Sequence, residues 1–262
     1  MSSVVDISSP SNAVIKHIKR LSGAAYRKKC GEFLLEGRRL VEDAVNLGTE
    51  VSCVVLSDAY DGPEIAVART YRVPQALFCT LSETVSPQGI LAVAKISEHR
   101  FSPAALCNAN FAVYLDGIAD PGNMGTIIRT CDAAGVDLLI LSYDCVDLYN
   151  PKTVRSTMAG LCRLPIAVLR EGECVFPALK SSGFCILAAA LETETLYYGA
   201  DFTKKTALII GNEAHGIRKE TRAWADQMIK IPILGGTESL NAAVACGVIL
   251  YEAVRQKAKL VH

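Results

Sequence analysis

The sequence predicts an α/β protein in two parts, of which the larger, C-terminal part contains a parallel sheet. The chain has 262 residues, half of them apolar and a fifth charged, a composition typical of a folded globular protein with one large domain or two ordinary ones. Short apolar runs alternate along it with amphipathic segments of helical spacing, as in βα units. The alternation is most regular from Asn110 onwards, where a strand at 111–115, a helix at 123–134 and a strand at 137–141 form a βαβ unit. Such a unit predicts parallel pairing of its two strands.

The N-terminal part reads as a smaller α/β unit. The spacing predicts helices over residues 12–21, 38–47 and 64–71, and strands at 32–36, 51–56 and 89–96. Residues 97–109 lose this periodicity and contain Pro103, so the linker is placed there. The predicted division is therefore an N-terminal domain over residues 1–100, a linker over 101–109 and a C-terminal domain over 110–262.

After the βαβ unit the same reasoning continues to the C-terminus. It predicts helices around 153–161, 175–181 and 219–225, strands at 166–169, 184–190, 207–211 and 228–233, and a closing helix over 240–257. Ser239 is the expected N-cap of that last helix, with Leu240 entering it. Its small residues Ala242, Ala243, Ala245 and Gly247 suggest tight packing against another backbone or a subunit contact.

Charge and cysteine content limit the functional classes. Lysine plus arginine equals aspartate plus glutamate, so the formal net charge is zero. The ten cysteines are scattered without a CxxC pair or a Cys/His cluster of metal-ligand spacing, which argues against a metal site and for a reducing cytosol. We identify no signal peptide and no apolar run long enough to span a bilayer, so the expectation is a cytoplasmic protein without a membrane partner.

One segment is strongly basic. Between residues 16 and 39 only Glu32 and Glu36 oppose eight bases, which are Lys16, Lys19, Arg20, Arg27, Lys28, Lys29, Arg38 and Arg39. Such a run is either a solvated face or a surface for nucleic acid or phosphate, and charge alone leaves both open.

Three polar blocks follow apolar strand-like runs in the C-terminal half, at residues 116–129, 211–216 and 231–241. Ligands of open α/β sheets bind beyond the carboxyl ends of the strands, so the three blocks can form one site. Each block also has an ordinary local explanation as a turn or helix cap, and Arg129 could be a surface arginine in a salt bridge. The first block lacks the G-x-G-x-x-G glycines, and no acidic residue ends the following strand, which argues against a dinucleotide cofactor.

As an ordered set, the blocks resemble the motifs of the SpoU (TrmH-like) branch of the SPOUT RNA 2′-O-ribose methyltransferases. Asn123, Gly125 and Arg129 match the first motif, the G-x-E-x-x-G run from Gly211 to Gly216 matches the second, and Ile231-Pro232 with Ser239-Leu240-Asn241 matches the third. Residues 148–164 are similar to a further stretch of the family. Ser9, Asn12, Lys16, residues 33–37 and residues 87–89 are similar to its L30e-like substrate-binding domain.

The resemblance implies a C-terminal SPOUT α/β domain whose chain forms a deep trefoil knot, a rare exception to unthreaded topology. It implies S-adenosyl-L-methionine as methyl donor, no metal, and homodimers whose site the partner subunit completes. Carried over by position, the residues around the donor are Gly211, Gly216, Ile231, Ile233 and Leu240. Those with catalytic roles are Arg129, Asn123, Glu213, Ser239 and Asn241.

The expected activity is transfer of a methyl group to a ribose 2′-hydroxyl of rRNA, with tRNA the less expected substrate. RNA capture would fall to the N-terminal domain and the basic segment, including Lys16, Lys19, Arg20, Arg27, Lys28, Lys29, Arg38 and Arg39. In the family the counterpart of Arg129 removes the hydroxyl proton. A guanidinium with a pKa above about 12 is a poor base, so stabilisation of the alkoxide by Arg129 is the alternative. A catalytically silent RNA-binding or ribosome-assembly module is the alternative function.

Overall fold

The computed structural model describes residues 3–258, so residues 1, 2 and 259–262 of the predicted domains lie outside it. The described strands are β1 Ser3–Asp6, β2 Glu32–Glu36, β3 Val51–Ser57, β4 Arg69–Val73, β5 Ile90–Lys95, β6 Phe111–Asp116, β7 Leu138–Leu141, β8 Ile166–Val168, β9 Cys185–Ala189, β10 Thr206–Gly211 and β11 Gln227–Ile229. The described α-helices are α1 Ala13–Arg20, α2 Ala24–Cys30, α3 Arg38–Asn46, α4 Gln75–Cys79, α5 Pro121–Ala133, α6 Pro151–Ser156, α7 Gly160–Arg163, α8 Phe176–Ser181, α9 Lys219–Arg222 and α10 Ala242–Ala258.

The chain forms two compact units. Unit 1 consists of the residues up to Glu98 together with Asp147–Cys162, and unit 2 consists of His99–Val146 together with the residues from Arg163 onwards. The predicted division placed 147–162 with the C-terminal domain, whereas these residues pack within unit 1. The linker position at 101–109 stays a prediction.

Side chains from distant parts of the sequence hold the 147–162 segment in unit 1. The Asp147 carboxylate accepts a hydrogen bond of 2.6 Å from Nη2 of the buried Arg27. The ring of Tyr149 packs on Phe33 at 4.5 Å between centroids. Arg155 lies 3.3 Å from Glu83 and 3.7 Å from Glu36. Because the partners are far apart in sequence, no local pattern could have predicted this placement.

Unit 1 has a mixed sheet in the order β1-β4-β3-β5-β2 among its described strands. β1, β4 and β3 run parallel, while β5 pairs antiparallel with both β3 and β2. Helix α1 begins at its cap Asn12, whose side chain accepts from Val14 N. It buries Ile15 and Ile18 in a core that also contains Val55, Phe78 and Leu91.

Unit 2 has a parallel sheet in the order β11-β9-β10-β6-β7-β8 among the strands described. The predicted βαβ unit is present as β6-α5-β7, with β6 and β7 parallel. Every residue of β6 is buried, as expected for a central strand covered on both faces. One core cluster contains Tyr114, Ile140, Phe176, Ile186 and Ile209. No described helix is long and apolar enough to cross a membrane.

Some predicted elements are wrong. Residues 64–68 form no helix, and the strand β4 follows at Arg69–Val73. The last three residues of the predicted helix, 69–71, instead belong to β4, which pairs with β1 and β3, so tertiary pairing overrides the local pattern there. The predicted helix at 153–161 is broken between α6 and α7, because Met158 and Ala159 have φ of 50° and 64°. The sequence reading also missed β1, α2 and α4. The trefoil knot stays a prediction.

Candidate active site

The three polar blocks lie at one edge of the unit 2 sheet. The first follows β6 and the second follows β10, and the last residues of these adjacent strands, Asp116 and Gly211, are register partners. The third follows β11, on the far side of β9. Because all these strands are parallel, their carboxyl ends meet at the same edge. The three blocks therefore begin at the same edge of the unit 2 sheet, as expected.

Side-chain hydrogen bonds join the three blocks. Asn241 donates from Nδ2 to Oδ1 of Asn123 at 2.9 Å, and Asn123 donates from Nδ2 to Oε1 of Glu213 at 2.8 Å. The other carboxylate oxygen of Glu213 accepts from Ala119 N at 3.3 Å. One residue from each motif therefore takes part in a continuous polar chain, although they are far apart in sequence.

Helix caps fix the two asparagines. Asp120 caps α5 by accepting from Asn123 N at 2.8 Å, which places Asn123 in the first turn. The prediction that Ser239 caps the last helix is wrong. Helix α10 begins at Ala242, and Asn241 is its cap, because its Oδ1 accepts from Ala243 N at 2.9 Å. The Asn241 side chain therefore both caps α10 and forms part of the polar chain.

The second block is a tight turn that requires glycine at both ends. Asn212 and Gly216 exchange backbone hydrogen bonds of 3.0 and 2.9 Å. A Cβ on Gly211 would lie 2.4 Å from the carbonyl carbon of Gly216, and Gly216 itself has a φ of +67°. The Asn212 side chain closes the turn by donating to Gly117 O at 2.6 Å and accepting from Ala214 N at 2.8 Å. Any larger residue at Gly211 would force this turn open.

A cavity of about 600 Å³ lies beside this turn. Its lining includes all five residues predicted around the donor, namely Gly211, Gly216, Ile231, Ile233 and Leu240, and three of the predicted catalytic residues, Glu213, Ser239 and Asn241. The volume falls in the usual range for a small-molecule site. Asn123 and Arg129 do not line it, and Asn123 joins it only through Glu213 and Asn241.

Arg129 lies on the exposed face of α5. Its guanidinium makes no hydrogen bond or ion pair with the described residues, so the salt-bridge explanation does not apply there. Asp132, one turn further along α5, pairs instead with Arg163 at 2.8 Å. An unpaired guanidinium on an exposed helix face is available for an anion.

The sequence reading missed an ion pair behind the site. Asp116, whose side chain is fully buried, accepts from Arg218 N at 2.8 Å and from Arg218 Nε at 2.7 Å, and it also pairs with Nη2. Although partial burial works against the charge, Asp116 and then Asp144 raise the pKa of the Arg218 guanidinium. A carboxylate ending the apolar run 111–115 was the available signal, since a buried aspartate needs a partner. Its partner lies 102 positions away.

The predicted RNA-binding bases divide into two groups. Exposed ones are Lys16, Lys19, Arg20, Lys28, Lys29, Arg38 and Arg39. Arg38 and Arg39 are paired along α3 with Glu42 and Asp43. Arg27 was predicted wrongly, because it is only 2% exposed and its Nη1 donates to Leu21 O and Ser22 O at 2.8 and 2.6 Å. It supports the turn between α1 and α2 and cannot reach a ligand.

Residues 3–258 contain no group of three or more His, Cys, Asp or Glu side chains arranged to hold a metal ion. The candidate site is accordingly described by its glycines, amides, carboxylates and the Arg129 guanidinium.

Comparison with known proteins matches both units. Residues 110–251 match the model of the SpoU rRNA Methylase family, and residues 12–92 match that of the MRM3-like substrate binding domain. The 23S rRNA (guanosine(2553)-2′-O)-methyltransferase RlmP of Bacillus subtilis (strain 168) is 33% identical over 94% of this chain and 97% of its own length.

Solved structures agree over nearly the full length. The AdoMet-bound rRNA methyltransferase from Sinorhizobium meliloti has a TM-score of 0.84 at 30% identity, covering 96% of this chain and 98% of that one. The SpoU methyltransferase AviRb from Streptomyces viridochromogenes, in complex with AdoMet, has a TM-score of 0.83 at 31% identity, covering 94% and 98%. With its fold, its three motifs and a match over more than half its length, the chain belongs to the SpoU rRNA methylase family.

Proposed function

We propose that this protein transfers a methyl group from S-adenosyl-L-methionine (AdoMet) to a ribose 2′-hydroxyl of rRNA. The observation that carries the proposal is the hydrogen-bonded chain Asn241–Asn123–Glu213, which unites the three motifs beside the 600 Å³ cavity. The methyltransferase activity of RlmP on 23S rRNA and the AdoMet-bound structures of two relatives support the same reaction.

The cavity suits AdoMet in size and chemistry. The half-buried side chains of Ile231, Ile233 and Leu240 offer apolar contact to an adenine ring. The glycine turn at Gly211 lets backbone groups approach closely. Glu213 and Glu238 add negative charge around a ligand that carries a sulfonium. When bound, AdoMet supplies a methyl group activated by that sulfonium, and its demethylated form remains after transfer.

The protein's own residues position the ribose and handle its proton. The new bond joins the 2′-oxygen to the methyl carbon while the carbon–sulfur bond breaks, so these three atoms must lie in line. The hydroxyl proton passes to bulk water as the oxygen attacks, so the products are the methylated ribose, the neutral demethylated donor and a hydrated proton. The Arg129 guanidinium holds the neighbouring phosphate and stabilises the developing negative charge. Asn123, Glu213 and Asn241 keep the donor loop and the first turn of α5 in a fixed arrangement, and Ser239 lines the donor cavity beside them.

The function proposed for unit 1 is RNA capture. The exposed bases of α1 and α2, which are Lys16, Lys19, Arg20, Lys28 and Lys29, lie in the part of the chain that matches a substrate binding domain. Lysine and arginine side chains contact phosphates without reading sequence. Loops of structured RNA expose ribose 2′-hydroxyls better than duplexes do, so an rRNA loop is the proposed target.

A homodimer is part of the proposal. Helix α10 buries Cys246, Ile249 and Leu250 within unit 2, yet Val244 and Tyr251, two turns apart on another face, are 52% and 53% exposed. Gly247 lies near this face, where a Cβ would be 3.6 Å from Thr130 of α5. The exposed Arg129 precedes Thr130. A second copy packed on this face would cover the apolar side chains and lie close to Arg129.

A matched pair of glycine variants tests the function. Gly211→Ala should abolish AdoMet binding and methyl transfer, because its Cβ would meet the backbone of Gly216 at 2.4 Å. Gly235→Ala is the control, since a Cβ there meets nothing within 4 Å. AdoMet should raise the Tm of the wild type and of Gly235→Ala but not of Gly211→Ala, as ligand binding to the folded state requires. Transfer of labelled methyl to rRNA should follow the same order.

The alternative of a silent RNA-binding module makes the opposite prediction. A wild-type protein that binds rRNA while its Tm stays unchanged by AdoMet, with no methyl incorporated, would overturn the proposal. If methyl is incorporated, mapping 2′-O-methyl nucleotides in total RNA with and without the gene would identify the target nucleotide.

A further inference from the structure

Unit 2 contains a second cavity, of about 340 Å³, which shares no lining residue with the first. It lies at the same edge of the sheet, since its lining includes Ser142 just beyond β7 and Leu169 just beyond β8. Ile217 lines the first cavity and Arg218 the second. The two cavities therefore flank the same stretch of chain after the glycine turn. No residue predicted for the donor, the catalytic chain or RNA capture lines this second cavity.

Three aromatic residues in contact with one another line the second cavity. The ring of the buried Tyr114 lies 4.8 Å from that of Phe176. Phe176 in turn stacks on Trp224 at 6.0 Å, with an angle of 15° between the ring planes. Trp224 is 36% exposed, so its ring belongs to both the packed cluster and the cavity opening. These three rings give the cavity an aromatic, largely apolar lining.

A fourth aromatic residue, Tyr143, also lines the second cavity. Tyr143 is 50% exposed, and the guanidinium carbon of Arg218 is 5.7 Å from its ring centroid. Arg218 cannot swing away, because Asp116 holds it and Asp144 lies 3.3 Å from its Nη1. Its hydrogen-bonding edge is thus occupied, while stacking needs only the face of the guanidinium.

The chemistry of this lining fits a nucleobase. Flat aromatic rings and a fixed guanidinium are the surfaces on which unstacked RNA bases lie. An amine would instead need free carboxylates, but Asp144 is paired and Glu173 accepts from Arg170 N at 2.8 Å. Of the carboxylates lining the cavity, only Glu220 is left to accept from the amino group of a base. The exposed Arg170 and Lys219 adjoin the lining residues Leu169 and Glu220 in sequence, where phosphates can be met.

We propose that this second cavity binds one unstacked nucleobase of the RNA substrate, between Tyr143 and Trp224, next to the methyl-donor cavity. The proposal rests on the proposed RNA methyltransferase function. A base held here would fix the position of the RNA strand relative to the donor.

The single tryptophan of the chain provides the measurement. Titration of the full-length protein with single-stranded pentaribonucleotides of A, C, G or U should quench Trp224 fluorescence saturably. Tyr143→Ala should weaken this binding by roughly one order of magnitude, the usual effect of removing a stacking partner. Tyr198→Ala is the matched control, because Tyr198 is equally exposed at 52% in the same unit but does not line the cavity.

The outcomes separate this proposal from the proposed function. AdoMet affinity, measured by calorimetry, should be the same in Tyr143→Ala and the wild type, while the KM for rRNA rises. If no oligonucleotide quenches Trp224, or if quenching is equal in Tyr143→Ala, the base site is refuted even when methyl transfer persists. Quenching by spermidine and not by oligonucleotides would likewise refute it and identify a cation site.

Discussion

Arg129 is an exposed arginine without a hydrogen-bond or ion-pair partner among the described residues. Of the other predicted catalytic side chains, those of Asn123, Glu213 and Asn241 are hydrogen-bonded to another motif, and that of Ser239 is not. Asn123, Glu213 and Asn241 hold one another, so they are suited to fixing geometry. The free guanidinium is suited to meeting substrate charge. Asn123, Glu213 and Asn241 therefore act as positioning residues, and Arg129 is the group available to contact the RNA.

Arg129→Ala should lower kcat by roughly two to three orders of magnitude, as loss of a charge-stabilising donor does. Its free energy of unfolding and its AdoMet affinity should change little, because the side chain makes no described contact. Arg163→Ala is the control, since it removes an ion pair with Asp132 on the same helix face. Kinetics with rRNA, calorimetry and denaturant unfolding would measure these effects.

The pH–rate profile distinguishes the two roles of Arg129. If it stabilises charge, Arg129→Lys should retain the shape of the wild-type profile at a lower rate, because a lysine keeps a cation at this position but lacks the planar, bidentate guanidinium. A titration near neutrality that disappears with Arg129 would contradict this role and favour a general base.

At the scale of elements, α10 contributes to two surfaces at once. Its cap Asn241 belongs to the polar chain, and its inner face packs in unit 2 through Cys246, Ile249 and Leu250. Its outer face exposes Val244 and Tyr251. An apolar stripe on a long helix that already has a buried face predicts a contact with another chain.

Tyr251→Glu should convert a wild-type dimer into a monomer, because it would place an unpaired carboxylate in an apolar contact. Sedimentation velocity measures the state directly. Val85→Glu is the control, because Val85 is, like Tyr251, an exposed apolar residue, but it lies in unit 1. A wild-type monomer, or an unchanged dimer in Tyr251→Glu, would exclude this face as the interface.

At the scale of the whole molecule, the zero formal charge conceals an uneven distribution. The exposed bases of α1 and α2 predict RNA binding that weakens steeply with salt, because phosphate contacts release counterions. The buried Arg27 contributes to folding and not to the salt dependence of RNA binding.

Lys19→Gln should reduce the slope of log K against log salt for rRNA binding by about one unit, as loss of one phosphate contact does. Lys204→Gln is the control, an exposed lysine of unit 2 that pairs with Asp201 at 3.2 Å. Filter binding over a salt series gives both slopes. Equal slopes for the wild type and Lys19→Gln would remove Lys19 from the RNA contact.

Sequence patterns were sufficient to predict the α/β class, the parallel βαβ unit β6-α5-β7 and the resemblance to the family. These follow from local periodicity and from ordered motifs, which are properties of short stretches. The strand ends also predicted one shared site for the three polar blocks, and Gly211, Ile231 and Leu240, which the family resemblance had named, line one cavity. Local patterns failed where pairing partners decide the structure, as in β4, where neighbouring strands override a helical spacing.

Which polar groups meet depends on how the whole chain packs. Asn241 became a cap and a link to Asn123, Arg27 became a buried support for Asp147, and Arg218 became the partner of Asp116. Residues 147–162 joined unit 1 for the same reason. Each of these contacts joins side chains about a hundred positions apart. A hydrogen bond or ion pair depends on distances of a few ångströms, and those distances are set by the packing of the whole chain and not by sequence spacing.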